Sequence, residues 1–347
     1  MKGKARVLVM GYGVIGKRVA DAVSAQDDMT LIGIGDVSSD WRIRLAVKKG
    51  YRIYAATQEA LPKMKASGLP LEGTVEELIR SGSVDIVVDA TPKDIGYKNK
   101  ENLYKKYGVK AIFQGGEKAN IADVSFVAQR NYEKAIGKQF IRVVSCNTTA
   151  ISRVVGGLHE KLGVKKARVT IVRRAVDVWE SHESGAINTV VPETKVPSHH
   201  GEDARTVVDG LNIFTIAVKG SHNLFHMHMG MLEFDKRIEL NDAIDVLRDE
   251  PRVVFVKASD GVAGLNSIFE LSRDLNRTRG DLYEVPVWLD LMKAEENELY
   301  LIWGTANESI VVPENIDAIR AAMELESDGK RSIEKTDRTL GIVKSLY

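Results

Sequence analysis

The sequence predicts an α/β protein in two parts: helices wound around a parallel sheet, then an α+β part with a largely antiparallel or mixed sheet. Three observations predict it. The chain has 347 residues, 44% hydrophobic and 28% charged, enough for two sizeable cores. Short apolar strands and helical periods alternate through the first part, and each strand ends in small or polar residues. Longer alternating segments follow, at residues 167–174 and 224–229.

The totals exclude some functions. A formal net charge of +1 gives no general attraction to nucleic acid or to an acidic membrane surface. A single cysteine allows no internal disulfide, so a reducing cytoplasm is the expected compartment. The basic start is followed by an apolar stretch, residues 7–10, too short for a signal peptide or a membrane span. The chain is expected to carry no targeting segment, low-complexity tract or internal repeat.

Residues 5–10 have the pattern of a buried strand, and Gly11-Tyr12-Gly13-Val14-Ile15-Gly16 follows at once. Helical spacing then runs from Lys17 through Val19, Ala20 and Val23. A second strand, residues 30–34, leads to Asp36, about twenty positions beyond the glycines. The glycine spacing alone is weak in a chain with 29 glycines. Between a strand and a helix, with that acid, it is the dinucleotide fingerprint of a Rossmann-type domain. Gly11 permits the tight turn, Gly13 lets the main chain approach a pyrophosphate, and Gly16 allows close helix–strand packing. The amides near Val14 and Ile15 face the phosphates. A carboxylate at Asp36 accepts from ribose hydroxyls and repels a 2′-phosphate, which favours NAD; Arg42 and Arg44 close behind keep NADP open. Strands at residues 84–89 and 109–113 continue the rhythm, and Thr91, Pro92 and Gly116 beyond them are placed to border the nicotinamide ribose.

The one cysteine, Cys146, lies in Val143-Val144-Ser145-Cys146-Asn147-Thr148-Thr149. A strand-like segment precedes it, and apolar residues at helical spacing follow: Ile151, Val154, Val155, Leu158 and Leu162. A lone cysteine is most often a small buried hydrophobe. Between a strand and a capped helix it faces the unpaired N–H groups and the positive helix end, which favour an ionised nucleophile. Asn147, Thr148 and Thr149 are residue types that satisfy first-turn donors.

Residues 167–174 end in Arg173 and Arg174, which a strand sends to opposite faces, so one can enter a site. The arginine fork suits phosphate. Pro197-Ser198-His199-His200-Gly201 has the make-up of a polar turn. With no cysteine and no Glu–His helical spacing nearby, hydrogen bonding to a substrate hydroxyl or phosphate is preferred there, and no metal is expected. The later strand puts His226 and His228 on one face. A thiol nucleophile needs a base, and this face is the best supplier. The residues alone leave the two histidines open.

Together these runs resemble the archaeal-type phosphorylating glyceraldehyde-3-phosphate dehydrogenases, over nearly the full chain. The glycine run continues through Lys17-Arg18-Val19-Ala20-Asp21-Ala22, and Phe113-Gln114-Gly115-Gly116-Glu117-Lys118 follows it. Then come the cysteine run, Ile171-Val172-Arg173-Arg174, Pro197-Ser198-His199-His200, Met227 within the histidine strand, and Val312-Pro313-Glu314-Asn315-Ile316-Asp317-Ala318. The cysteine and Phe-Gln-Gly-Gly runs are the most specific. The resemblance implies Cys146 as nucleophile and His226 as base. It implies substrate contacts from Ser145, Asn147, His200 and Gly201, and cofactor contacts from Val14, Ile15, Gly116 and Arg174. Arg173 is expected on the substrate side, although which of the two arginines meets phosphate stays open. It also implies a homotetramer with a nucleotide domain of residues 1–145 plus about 310–347, and a catalytic domain of 146–309. A C-terminal helix around residues 316–323 would return to the nucleotide domain.

Three departures belong to this chain. Asp36 stands where many relatives carry a lysine suited to NADP. His222-Asn223 replaces Thr-Thr before the histidine strand, so a phosphate contact is lost or remade. Ala306-Asn307-Glu308-Ser309 replaces His-Gln-Glu-Ser, so Asn307 offers its amide to the nicotinamide carboxamide with a shorter reach. The expected reaction is reversible, NAD(P)-dependent oxidative phosphorylation of glyceraldehyde 3-phosphate by inorganic phosphate to 1,3-bisphosphoglycerate, in glycolysis or gluconeogenesis. The rivals are a semialdehyde dehydrogenase with the same Cys–His chemistry and a nucleotide-sensing or RNA-binding protein. Near-neutral charge disfavours the last.

Overall fold

The structure is a computed structural model and describes residues 3–114 and 116–347. Met1, Lys2 and Gly115 of the Phe-Gln-Gly-Gly run lie outside the described residues. The chain forms two compact units, Met1–Val144 with Val312–Gly341, and Ser145–Val311 with Ile342–Tyr347.

The first unit holds strands β1 (Ala5–Met10), β2 (Met29–Asp36), β3 (Ile53–Ala55) and β4 (Leu71–Thr74). It also holds β5 (Ile86–Asp89), β6 (Lys110–Phe113), β7 (Val124–Phe126) and β8 (Phe140–Val143). They make one all-parallel sheet in the order β4-β3-β2-β1-β5-β6-β8-β7. β1 and β5 are apolar runs buried almost throughout, as a sheet covered on both faces requires. The order turns around at β1, so the crevice beyond the carboxyl ends of β1 and β5 is the sheet's switch point. Gly11 leaves β1 at φ +85°, and a Cβ on it would lie 2.9 Å from the Ala90 carbonyl oxygen just past β5. A Cβ on Gly16 would lie 1.8 Å from the Gly11 carbonyl oxygen, so any side chain there would break the turn.

The returning helix, Val312–Ala322, is buried along its whole length. Within this unit it packs on the helices Val14–Ser24, Ala128–Ala135 and Gly329–Leu340. The amides of Gln114 and Asn315 pair at 2.8 and 3.2 Å, and Glu314 accepts from the Ala128 N–H at 2.6 Å.

The second unit holds β9 (Val164–Arg173), β10 (Val191–Pro192), β11 (Ile213–Lys219) and β12 (His226–Phe234). It continues with β13 (Val253–Val256), β14 (Val285–Trp288), β15 (Lys293–Glu295) and β16 (Glu298–Thr305). The sheet is mixed, in the order β10-β11-β9-β12-β16-β14-β13, with β15 on β16. Among the described pairs of this sheet, only β9/β11 and β13/β14 are parallel. The helix Cys146–Leu162 lies against β9, β14 and β16 and is buried from Asn147 through Leu158. Residues 342–347 leave the last helix and dock here. Lys344 Nζ donates to the carbonyls of Arg248, Asp249 and Glu250 (3.2, 3.2 and 2.8 Å), and Leu346 is buried in a cluster with Phe225, Val254 and Trp288. No helix of the described residues is long and apolar enough to cross a membrane.

Candidate functional site

In the first unit the glycine loop leads into a helix start that is open to an anion. The helix Val14–Ser24 starts on Gly13, with no side-chain cap and no acidic residue in its first turn. Its first-turn N–H groups and positive dipole end therefore stay available to an anion. A Cβ on Gly13 would meet nothing within 4 Å, so the space above the loop is open. Asp36 ends β2 and ties this loop down. One carboxylate oxygen accepts the Tyr12 N–H at 2.7 Å, and the other accepts the N–H groups of Val37 and Ser38, each at 2.8 Å. Three of about four acceptor sites on the carboxylate are thus taken, and one is left for a ribose hydroxyl. Neither arginine behind it is poised for a 2′-phosphate. Arg42 is paired with Asp40 at 2.6 Å, and Arg44 donates to the Ser67 carbonyl at 3.2 Å. A Cβ on Gly116 would likewise meet no heavy atom within 4 Å, so its surroundings are open as well.

In the second unit Cys146 is the first residue of its helix. The cap is Ser145, whose Oγ accepts the Thr148 N–H at 3.3 Å; Asn147, Thr148 and Thr149 are buried inside the first turn and do not cap it. Burial raises the Cys146 pKa above its usual value, against the pull of Arg174, Arg173 and the N–H groups of Asn147 and Cys146 itself. Desolvation of the anion outweighs the helix end here.

His226 opens β12, directly after Phe225, which is held at φ +61°. That conformation costs a bulky residue about 1–3 kcal/mol. The buried Phe225 ring, edge-on to Phe269 at 6.2 Å, anchors it. His226 Nδ1 accepts the main-chain N–H of Arg174 at 2.9 Å. Burial, Arg174, His228, Arg173 and His200 together hold its pKa well below the usual histidine value. His228, two residues on, is a core residue. It stacks on Trp303 (centroids 5.1 Å apart, 4° between planes), meets Thr305 Oγ1 at 3.1 Å, and is pushed down to about 3 by burial.

Arg173 and Arg174 both have carboxylate partners, Glu193 and Asp177 respectively. Both guanidinium charges bear on Cys146 and on His226, favouring the thiolate of the first and the neutral ring of the second. The Pro-Ser-His-His segment is not a surface turn. It enters the short helix His199–Arg205 and buries His200. Asn147 Nδ2 donates to His200 Nε2 at 3.2 Å, and His200 Nδ1 donates to Ser198 Oγ at 3.1 Å. Ser198 Oγ continues to Thr215 Oγ1 at 2.7 Å, which donates back to the Ser198 carbonyl at 2.9 Å. Burial first, then His199, Arg173 and His228, push His200 down to about 2. Glu193, His199 and His200 bring ligand atoms within 4.8 Å of one another, yet Glu193 is held by Arg173 and both His200 nitrogens are engaged. The cluster is built for hydrogen bonding. The Gly201 N–H is spent on Thr215 Oγ1 at 3.1 Å, so a substrate would have to meet that residue through other atoms.

Several groups were invisible in the sequence motifs: Thr215 behind His200, Glu193 on Arg173, and the Arg174 main-chain amide on His226. Two of the three arrive from distant strands or loops, and the third is a backbone atom, which no residue type announces. Two departures also find their places. Asn307 is buried, and its amide nitrogen has no hydrogen-bond partner among the described residues. His222 and Asn223 line a cavity of about 160 Å³ with the hydroxyl-bearing Ser181, Ser184 and Ser221.

Comparison with known proteins gives a consistent picture. The family described as glyceraldehyde 3-phosphate dehydrogenase, C-terminal domain, matches residues 145–290. The glyceraldehyde-3-phosphate dehydrogenase of Methanothermus fervidus is 43% identical over 339 residues, covering 97% of this chain and 99% of that protein. The protein of the same name from Methanococcoides burtonii is 47% identical over 340 residues, covering 98% and 99%. That of Methanopyrus kandleri is 45% identical over 344 residues, covering 98% of each.

Proposed function

The chain belongs to the glyceraldehyde-3-phosphate dehydrogenase family, and from that premise we propose that it reversibly converts glyceraldehyde 3-phosphate and inorganic phosphate to 1,3-bisphosphoglycerate. Membership makes it an oxidoreductase enzyme that uses a nicotinamide cofactor. The observation that carries the finer reading is Cys146 at the head of a buried helix, sharing the field of Arg173 and Arg174 with His226.

The Cys146 sulfur attacks the aldehyde carbon, and the carbonyl oxygen becomes a thiohemiacetal hydroxyl. Donors around Ser145 and Asn147 steady the developing charge on that oxygen. His226 takes the hydroxyl proton as a hydride leaves the carbon, and a thioester to Cys146 remains. When bound, the nicotinamide supplies the hydride acceptor. Phosphate, held by one of the two arginines and the His200 segment, attacks the acyl carbon, and the C–S bond breaks to release Cys146. In the first unit Gly11, Gly13, Val14, Ile15 and Gly16 would hold the pyrophosphate and Asp36 a ribose hydroxyl, with Gly116, Arg174 and Asn307 the other cofactor contacts. The unneutralised Asp36 carboxylate, with Arg42 and Arg44 engaged elsewhere, supports NAD over NADP. A homotetramer fits one face of the mixed sheet, where Phe214 and Ile216 on β11 and Met231 on β12 are exposed on either side of β9, with Arg168 between Phe214 and Met231.

Initial rates of NAD and NADP reduction with glyceraldehyde 3-phosphate, with and without inorganic phosphate, test the reading. Strict phosphate dependence and faster NAD reduction are expected. Equal rates without phosphate would mean that water resolves the thioester, and the phosphorylating assignment would fall. Replacing Asp36 with alanine is expected to raise the KM for NAD by about tenfold or more, since a charged hydrogen bond is lost. The NADP/NAD rate ratio should rise with it. An unchanged ratio would remove Asp36 from cofactor selection.

A further inference from the structure

A chain of buried hydrogen bonds runs from β11 to the first turn of the cysteine helix, and its direction is fixed at the β11 end. Thr215 is fully buried and has a single proton to give. Its Oγ1 receives the Gly201 N–H at 3.1 Å, and its proton goes to the Ser198 carbonyl at 2.9 Å. Ser198 Oγ, 2.7 Å from Thr215 Oγ1, must therefore donate to it. Only lone pairs then remain on Ser198 Oγ for His200 Nδ1, 3.1 Å away, so Nδ1 carries the ring proton. Burial, His199, Arg173 and His228 keep the ring neutral, which leaves Nε2 a lone pair. Nε2 takes an N–H of Asn147 at 3.2 Å. The chain ends there, with Asn147 turned so that its Oδ1 is buried and has no hydrogen-bond partner among the described residues. A Cβ on Gly201 would lie 3.2 Å from Thr215 Oγ1 and 3.4 Å from its methyl carbon, so a glycine lets the first link close.

A bare acceptor in a buried place calls for a donor. A fully ionised phosphate offers none, and neither does an aldehyde oxygen. In glyceraldehyde 3-phosphate the donor is the hydroxyl on the carbon next to the aldehyde. Asn147 follows Cys146 in the same helical turn, and that carbon lies one bond beyond the one the sulfur attacks. We infer that Thr215 is a positioning residue that fixes the direction of this chain, so that Asn147 presents an acceptor to the substrate's 2-hydroxyl and makes that hydroxyl a determinant of specificity. The inference rests on the reading of the substrate as glyceraldehyde 3-phosphate and of Cys146 as nucleophile. Without the Thr215 hydroxyl, the Ser198 proton turns to His200 Nδ1. The ring proton then moves to Nε2 with no net change of charge, and the Asn147 amide turns over to accept it. Asn147 now shows N–H donors where the wild type shows an acceptor.

Two aldehydes separate these arrangements: glyceraldehyde 3-phosphate and its 2-deoxy-2-fluoro analogue, whose fluorine can only accept. The ratio of their kcat/KM values is compared among wild type, Thr215→Val and Thr215→Ser on the full chain, so that hydration of the fluoroaldehyde cancels. Valine keeps the shape without the hydroxyl, and the ratio is expected to shift about tenfold or more toward the fluoro analogue. Thr215→Ser keeps the hydroxyl and should hold the wild-type ratio. Equal losses on both aldehydes in Thr215→Val, with the ratio unmoved, would make Thr215 a packing residue and overturn the inference. Should the valine variant fail to fold, nitrogen NMR of the His200 ring in the wild type decides. A proton on Nδ1 bears the inference out, whereas a proton on Nε2 would reverse the chain and overturn it. Inability of the wild type to oxidise glyceraldehyde 3-phosphate would sink the functional reading instead, and the His200 ring would still report the direction of the chain.

Discussion

Replacing Cys146 with alanine is expected to lower phosphate-dependent NAD reduction by about ten-thousand-fold or more while leaving the fold intact. The size follows from the chemistry: without sulfur there is no thiohemiacetal, no thioester and no acyl group for phosphate to attack. Cys146 is also the chain's one cysteine, so no second thiol can stand in. The fold should survive because the residue opens a helix whose cap is Ser145, and alanine is well suited to a helical position. Initial rates with glyceraldehyde 3-phosphate, paired with thermal unfolding by circular dichroism, make the measurement. A variant that kept more than about a hundredth of the wild-type rate would rule Cys146 out as nucleophile. A variant with a collapsed melting profile would decide nothing about chemistry, and Cys146→Ser, closer in size and polarity, then takes its place with the same expected loss.

Much of this was legible in the sequence because it is local. The strand, glycine loop and helix from Ala5 to Ser24 are written in consecutive residues, and so is the passage from β8 through Ser145 into the Cys146 helix. The parallel character of the first sheet follows from its strand–helix rhythm, and the returning helix from its period. Other features depend on what distant segments bring. The cap of the Cys146 helix is Ser145 because the chain turns helical at Cys146, ahead of Asn147, Thr148 and Thr149. The raised thiol reflects desolvation by residues folded around it, a quantity no motif encodes. His226 and His228 share one face and one sequence pattern. They differ in what lies opposite, an Arg174 amide for the first and Trp303 with Thr305 for the second. The Pro-Ser-His-His segment looks like a turn by composition, and its buried partner Thr215 comes from another strand.

Arg320→Leu should be the most damaging single change to the first unit, at about 3–5 kcal/mol, the cost of breaking a buried ion pair from one side. Arg320 is fully buried on the returning helix. Its Nε donates to Asp28 at 2.8 Å, and its other nitrogens reach Gln26, Thr336 and the Ser332 carbonyl. These contacts bind the helix to the segment before β2 and to the last helix, Gly329–Leu340. Leucine fills the volume but leaves Asp28 to Lys335, at 2.9 Å, and strands the buried side-chain oxygen of Gln26, while the Thr336 hydroxyl keeps Asp317 at 2.6 Å. The loss should also depend on pH. Burial works to raise the Asp28 pKa, but the hydrogen bonds and charge of Arg320, with those of Lys335, bring it below the usual aspartate value. A carboxylate with a depressed folded-state pKa stabilises fully above its unfolded value, about 3.9, and less as pH falls toward the folded value. The gap in urea midpoint between wild type and Arg320→Leu should therefore hold from pH 7 down to about pH 4 and narrow below it. Hydrogen exchange should localise the effect, with the amides of Val312–Ala322 losing protection first. A gap that stayed constant through acid would show that Arg320 stabilises by packing rather than through Asp28, and a gap under about 1 kcal/mol would show that Lys335 and the neighbouring hydroxyls replace it.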